Sequence, residues 1–315
     1  MSGLAFVFPG QGSQYVGMGS SFYKSSALAR ATFDEASAAL GYDLTTAVFE
    51  GPAEDLNRTD ITQPALLTTS IAAYRVLKES LDLTPAYLAG HSLGEYTALV
   101  VSGSLDFSEA VSLVAKRGRL MMEAGGTGGM CAVIGLPTED VDVLCEEIST
   151  ESSVVVPANI NSPLQVVVSG EAGAVKRAAA EAKVRGAKMV IPLKVSVASH
   201  SPLMSGAAEK FALELKKIAL RKMEVPVISN VEALPFSTRV EVIWLLERQL
   251  TSPVRWVDTI VKMKDKGVRR ILEIGPKKVL TGLIKRIDSD IEVFNLDGAE
   301  DLDKVLESLT TPKPS

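Results

Sequence analysis

Of 315 residues, only two are histidine and two are cysteine, and that scarcity narrows the chemistry the chain can carry. Cys131 and Cys145 stand apart, without the spacing of a metal or redox motif. No metal site is expected, and a reducing, cytoplasmic setting is. Positive charge is not in excess: 33 Lys and Arg stand against 38 Asp and Glu, a formal net charge of −5. No global field draws the chain to nucleic acid or to an anionic membrane, so neither is expected as a partner. No apolar run reaches the roughly 18 residues that a membrane span needs. Met1 leads straight into "LAFVF" without a basic stretch, so no secretory leader is expected. Repeats and low-complexity segments are absent too. What is present, 46% hydrophobic and 23% charged residues, supports a sizeable core in one large domain or a domain with an insert.

Apolar patterning gives the order of elements. "LAFVF" reads as a buried strand broken by Pro9 and Gly10, helical spacing follows at 28–40 and 64–79, and "AYLAG" supplies a second short strand. Helices are expected at 93–101 and 108–124, before glycines at 125, 126, 128 and 129 that read as a hinge. The pattern then changes to strand "MCAVIGL", helix 138–149, strands "VVVPANI" and "QVVVSG", helix 172–185 and strand "AKMVIPLKV". That β-α-β-β-α-β order is ferredoxin-like and fits an inserted subdomain at 127–196. Alternation then returns, with helices at 203–219, 240–250 and 254–266, strand "RRILEIG", helix 278–287, strand "IEVFNL" and a helix near 300–309. The tail "TPKPS" is expected to fray.

Gly90, Ser92 and Gly94 in "AGHSLGEYTAL" make the G-x-S-x-G spacing of a serine forced into a strand-to-helix elbow. Such a serine attacks acyl carbons; water as acceptor makes a hydrolase, another nucleophile a transferase. It needs a base, and two histidines make the search short. His91 adjoins Ser92, where neighbouring side chains diverge, so His200 in "VSVASHSPLM" is the better candidate; an ordinary loop or core histidine is the alternative. The N–H of Leu93, at the start of the following helix, is aimed to hold an oxyanion. A second donor is expected from "PGQGSQ" at 9–14, whose glycines let backbone approach a ligand, unless this is simply a tight turn. A hydrolase of this type usually adds an acid, and none of Asp106, Asp140 and Asp142 is clearly placed for that.

The helix at 108–124 bears on the acyl group. Ala110, Val114, Arg117 and Met121 share one side with Leu113 and Leu120 flanking, while Ser112, Lys116, Arg119 and Glu123 form the polar side. Arg117 thus lies in an apolar stripe and needs an anionic partner, because a guanidinium cannot shed its proton. That partner is either a protein carboxylate, making Arg117 structural, or a carboxylate on the acyl group, making the site selective for dicarboxylic acyl groups. Residues 262–286 hold nine Lys and Arg against Asp265 and Glu273. They form either a surface for an acidic protein, with Lys277 and Lys278 in it, or a solvated helix face.

Together these pieces resemble the malonyl-CoA:acyl carrier protein transacylases, acyltransferases of bacterial fatty acid biosynthesis. The resemblance runs through "FPGQGSQYVGMG", "TQPALLTTSIA", "GHSLGEY", "AKRGRLM", "GGMCAVIGL", "ANINSPLQVVVSG", "VSVASHSPLM", "QLTSPVRW" and "EIGPKKVLTGLIKRI", in the expected order. It implies an α/β fold: an α/β-hydrolase-like core with a parallel sheet at 1–126 and 197–315, and an inserted ferredoxin-like subdomain at 127–196. It implies Ser92 as nucleophile, His200 as base, the N–H groups of Gln11 and Leu93 as oxyanion hole and Arg117 on the malonyl carboxylate. The carbonyl of Gln249 would orient His200, and Asn161 would lie nearby without an assigned role. Malonyl-CoA and the phosphopantetheine thiol of acyl carrier protein are the implied substrates, with no metal or other cofactor and a monomer as the working expectation. Ser199 before His200 is found with methylmalonyl preference in related polyketide acyltransferases, and commonly in the fatty-acid enzymes too, so methylmalonyl or another extender stays as the alternative.

Overall fold

The computed structural model describes residues 3–126, 128–193, 195 and 197–310. The strands among them are β1 Leu4–Phe8, β2 Tyr87–Gly90, β3 Gly128–Ile134, β4 Val155–Ser162, β5 Gln165–Glu171, β6 Met189–Pro192, β7 Val227–Ile228, β8 Arg270–Ile274 and β9 Glu292–Leu296. The chain divides into two compact units. One gathers Met1–Gly118, Ala219–Ile228 and Met263–Ser315, the other Arg119–Ile218 and Ser229–Lys262.

The first unit is built on a parallel sheet of order β7-β2-β1-β8-β9. All five residues of β1 are buried, as a parallel strand covered on both faces requires, which is why "LAFVF" shows no alternation. The helix Thr59–Ser80 is buried on nearly every side from its start to Ala73, with Thr59 and Thr62–Ala73 buried. A helix starting at 64 was expected; it starts at Thr59, with Pro64 inside it. Pro64 costs one helical hydrogen bond, and burial of Thr62, Gln63, Leu66 and Leu67 carries the helix through that loss. The short helices Ser20–Ser25, Leu44–Phe49 and Ala53–Leu56 and the two-residue β7 have too few residues for a periodic signal.

The second unit contains an antiparallel sheet of order β4-β5-β3-β6. Its elements follow the expected β-α-β-β-α-β order, with helices Thr138–Ile148 and Ala172–Val184 as the α members. Cys131 and Val133 of β3 point into a core with Val141, Leu144, Val166, Val168, Ala174 and Ala178. Met130 and Ala132, one residue out of phase, face the opposite side with Ala158 and Val167. The glycine hinge is corrected: Gly128 and Gly129 belong to β3 and pair with Glu171 and Gly170. A Cβ at Gly128 would lie 2.6 Å from the Ala198 Cβ, so the glycine admits the segment leading to His200. The tail 311–315 and the terminal residues of the expected subdomain, Thr127 and Ser196, lie outside the described residues. Among the described residues no helix is long and apolar enough to cross a membrane.

Candidate active site

In the first unit β2 stops at Gly90 and the helix Gly94–Val101 follows, so the chain reverses within His91–Leu93. Three glycines make room. A Cβ at Gly90 would lie 1.8 Å from the Gly94 carbonyl carbon, one at Gly94 would lie 2.1 Å from the Phe8 carbonyl oxygen, and one at Gly10 would lie 2.3 Å from the His91 carbonyl oxygen. No side chain fits at such separations, which accounts for the G-x-S-x-G spacing and seats the loop after β1 against the elbow. Ser92 at the apex has a φ of 51°, a left-handed conformation that costs a non-glycine about 1–2 kcal/mol. The turn is fastened by the His91 N–H donating to the Phe8 carbonyl and the Gly94 N–H donating to the His91 carbonyl, each at 3.0 Å. Strain held at a serine between two required glycines is what a nucleophile elbow needs.

The N–H groups of Gly94, Glu95 and Tyr96 are committed to the carbonyls of His91, Ser92 and Leu93. Those of Gln11 and Leu93 enter no such turn bond among the described residues. Leu93 also opens a helix, where the backbone dipoles favour negative charge. The loop carrying Gln11 is tied down on two sides. Gln11 Nε2 donates to Thr59 Oγ1 at 3.3 Å, Gln14 Nε2 to Asn57 Oδ1 at 2.8 Å, and Lys277 Nζ to the Gly12 carbonyl at 3.2 Å.

On the helix Phe107–Ala124 the expected stripe is present: Ala110, Val114, Arg117 and Met121 are buried, whereas Lys116, Arg119 and Glu123 are exposed. Arg117 is 1% exposed. Its Nη1 donates to Gln63 Oε1 at 2.9 Å and its Nη2 to Ser92 Oγ at 3.4 Å, and its guanidinium carbon lies 5.4 Å from the centroid of the Tyr96 ring. Burial pushes the Arg117 pKa down, against the opposing attraction of Tyr96 and Glu95. Gln63, Glu95 and Tyr96 are neighbours that the sequence reading missed. The available signal was a glutamine in the otherwise apolar start of "TQPALLTTSIA".

His200 belongs to the second unit. It is 2% exposed with a φ of 60°, and its Nδ1 lies 2.7 Å from the carbonyl oxygen of Gln249, which is itself fully buried. A carbonyl only accepts, so Nδ1 carries the proton and Nε2 is left as the basic nitrogen. Asn161, in β4, is 8% exposed. Thus Gln11, Ser92, Leu93 and Arg117 fall in one unit, His200, Gln249 and Asn161 in the other. Of the acids weighed for a hydrolase, Asp106 is engaged in capping: its Oδ1 accepts from the N–H groups of Ser108 and Glu109 at 2.9 and 3.2 Å.

The basic window is more engaged than its composition suggests. Lys264 pairs with Asp288, Arg269 donates to the Lys264 carbonyl, and Arg270 to the Ser308 and Leu309 carbonyls. Glu273, counted there as a surface charge, is fully buried.

A strained serine on a glycine elbow with a buried arginine at its hydroxyl is acyl-transfer geometry, and residues 5–304 match the acyl transferase domain family. The chain belongs to that family. It is 51% identical to the malonyl CoA-acyl carrier protein transacylase of Escherichia coli, over 91% of this chain and 93% of that protein. Among solved acyl transferases, that of Coxiella burnetii, a malonyl CoA-acyl carrier protein transacylase, superimposes with a TM-score of 0.96 at 44% identity, covering 98% of each chain. A type II PKS acyl-carrier protein in complex with its malonyl-transacylase gives 0.95 at 45% identity, over 98% of this chain and all of that one.

Proposed function

We propose that this acyl transferase moves the malonyl group from malonyl-CoA to the phosphopantetheine thiol of acyl carrier protein, in fatty acid biosynthesis, through a malonyl ester on Ser92. His200 Nε2 takes the Ser92 proton as Oγ attacks the thioester carbonyl. The N–H groups of Gln11 and Leu93 hold the oxyanion, the carbon–sulfur bond breaks, and the coenzyme A thiol leaves with the proton from His200. The carrier thiol then gives its proton to His200 and attacks the ester carbonyl, the carbon–oxygen bond breaks, and Ser92 Oγ leaves with the proton from His200. The Gln249 carbonyl holds the imidazole in the required tautomer, the place an acid takes in a triad.

The observation that carries this reading is the Arg117 guanidinium, 1% exposed and 3.4 Å from the Ser92 hydroxyl. A cation kept dry beside a nucleophile suits an acyl group that ends in a carboxylate. The relatives' names support malonyl as that group and acyl carrier protein as the acceptor. The scheme draws on these side chains and the two thiols without a resident cofactor, and a cytoplasmic setting suits it. For the domains we propose a hydrolase-like core at 1–126 and 197–315 carrying a ferredoxin-like subdomain at 127–196.

Intact-protein and peptide mass spectrometry after mixing with malonyl-CoA tests the scheme. One malonyl adduct on Ser92, discharged by carrier protein and not formed by Ser92→Ala, is expected. Active protein with an unmodified Ser92 overturns it.

A further inference from the structure

We infer that Gln63 is a positioning residue that sets acyl selectivity by aiming Arg117, an inference that rests on the proposed malonyl transfer. An arginine side chain has four rotatable bonds, and a preference for a carboxylate requires its fork to be held in one direction. The Tyr96 ring, 5.4 Å from the guanidinium carbon, limits where the guanidinium plane lies. Gln63 fixes one of its edges. Its Oε1 takes Nη1 at 2.9 Å and leaves Nη2 toward Ser92 Oγ at 3.4 Å. The oxygen must be the amide atom facing Arg117, because a guanidinium only donates. Both side chains are 1% exposed, so water does not compete for the bond.

The pairing is built into how two helices cross. A Cβ at Gly118 would lie 2.5 Å from the Thr59 carbonyl oxygen and 2.7 Å from the Asp60 Cα. Glycine there lets the helix bearing Arg117 touch the first turn of the helix Thr59–Ser80. Gln63 lies one turn further along that helix, within reach of the residue preceding the glycine.

A neutral acceptor suits this task better than a charged one. An amide fixes one edge of the guanidinium without cancelling its charge, so Gln63 takes nothing from its attraction for an incoming carboxylate. A carboxylate at position 63, added to the charge of Glu95 that already acts on Arg117, would satisfy the cation internally. Gln63 therefore orients Arg117 without adding a counter-charge of its own.

The test compares kcat and KM for malonyl-CoA and acetyl-CoA in the wild type, Gln63→Leu, Gln63→Glu, Arg117→Ala and the double variant Gln63→Leu/Arg117→Ala. Gln63→Leu should lower the malonyl-to-acetyl ratio of kcat/KM about ten- to a hundredfold, chiefly through malonyl KM, as loss of a bond to a charged group implies. Gln63→Glu should lower the ratio further. In the Arg117→Ala background Gln63→Leu should change it by less than about twofold, since there is nothing left to aim. Should Gln63→Leu prove unfolded by circular dichroism, Gln63→Met repeats the test with an unbranched side chain. If Arg117→Ala abolishes malonyl preference while Gln63→Leu keeps the wild-type ratio, the role of Gln63 is overturned and malonyl recognition by Arg117 stands. If Arg117→Ala keeps malonyl preference, both fall.

Discussion

Arg117 and Glu273 are two buried ionisable side chains of the same compact unit, 1% and 0% exposed, set in contrasting surroundings. Burial is the dominant influence on each and pushes each toward its neutral form, Arg117 downward and Glu273 up to about 7. Their partners differ. The Glu273 carboxylate accepts the Leu280 N–H at 3.0 Å, the Thr281 N–H at 2.7 Å and the Thr281 hydroxyl at 2.6 Å. These donors sit in the first turn of the helix Val279–Ile287, so this acid caps a helix and its bonding capacity serves the fold. Arg117 instead has among its neighbours a neutral amide, the Tyr96 ring, the charge of Glu95 and, at a long 3.4 Å, the hydroxyl of the strained serine. Neighbours distinguish the two: helix-end donors commit Glu273 to the architecture, whereas Arg117 lies beside the serine of the elbow.

The largest effect that would break this contrast is on activity. Arg117→Ala should cost malonyl transfer about 2–5 kcal/mol in kcat/KM while acetyl transfer persists or rises. Competition between the two thioesters measures it, and an unchanged preference would make Arg117 as structural as Glu273. The next concerns pH. The ordinary value for Glu273 is 4.5 and the folded value is about 7, so between them the folded protein holds a proton that the unfolded chain has lost. Stability from this group is complete below about pH 4.5 and falls as pH rises to about 7, by up to about 3 kcal/mol. Urea unfolding from pH 4.5 to 8 should show that decline relative to Glu273→Gln; parallel profiles would remove Glu273 as a titrating cap. Gly118→Ala should cost about 1–3 kcal/mol of stability by overpacking, and lower the malonyl-to-acetyl ratio as the helix bearing Arg117 shifts. The smallest expected effect is Thr281→Val, about 1 kcal/mol, with the pH midpoint of the Glu273 transition moved upward because a donor to the charged form is gone.

Much of the elbow and of the arginine stripe was legible because their signals are local. G-x-S-x-G encodes three backbone approaches within a few residues, and the stripe on the helix Phe107–Ala124 placed Arg117 inside and Arg119 outside through helical periodicity alone. The β-α-β-β-α-β order was readable for the same reason. His200 was singled out as a candidate base by elimination between two histidines, whereas its contact with a carbonyl 49 residues away has no sequence pattern, since any residue supplies a carbonyl. Resemblance to a family pointed to Gln249; spacing did not. Gln63, 54 residues from Arg117, read only as part of a buried helix. Glu273 was miscounted as a surface charge because composition over a window ignores that it lies within a buried parallel strand.

The amino-acid order by itself determined where the elbow forms, which face of one helix turns inward and which strands alternate, because sterics and periodicity act between near neighbours. The tertiary structure alone decided which acceptor holds the guanidinium, which carbonyl holds the imidazole and which buried acid merely caps a helix. Hydrogen bonds between distant segments depend on where the packed backbone brings them, and a glycine that admits one helix against another leaves no mark in the sequence except itself.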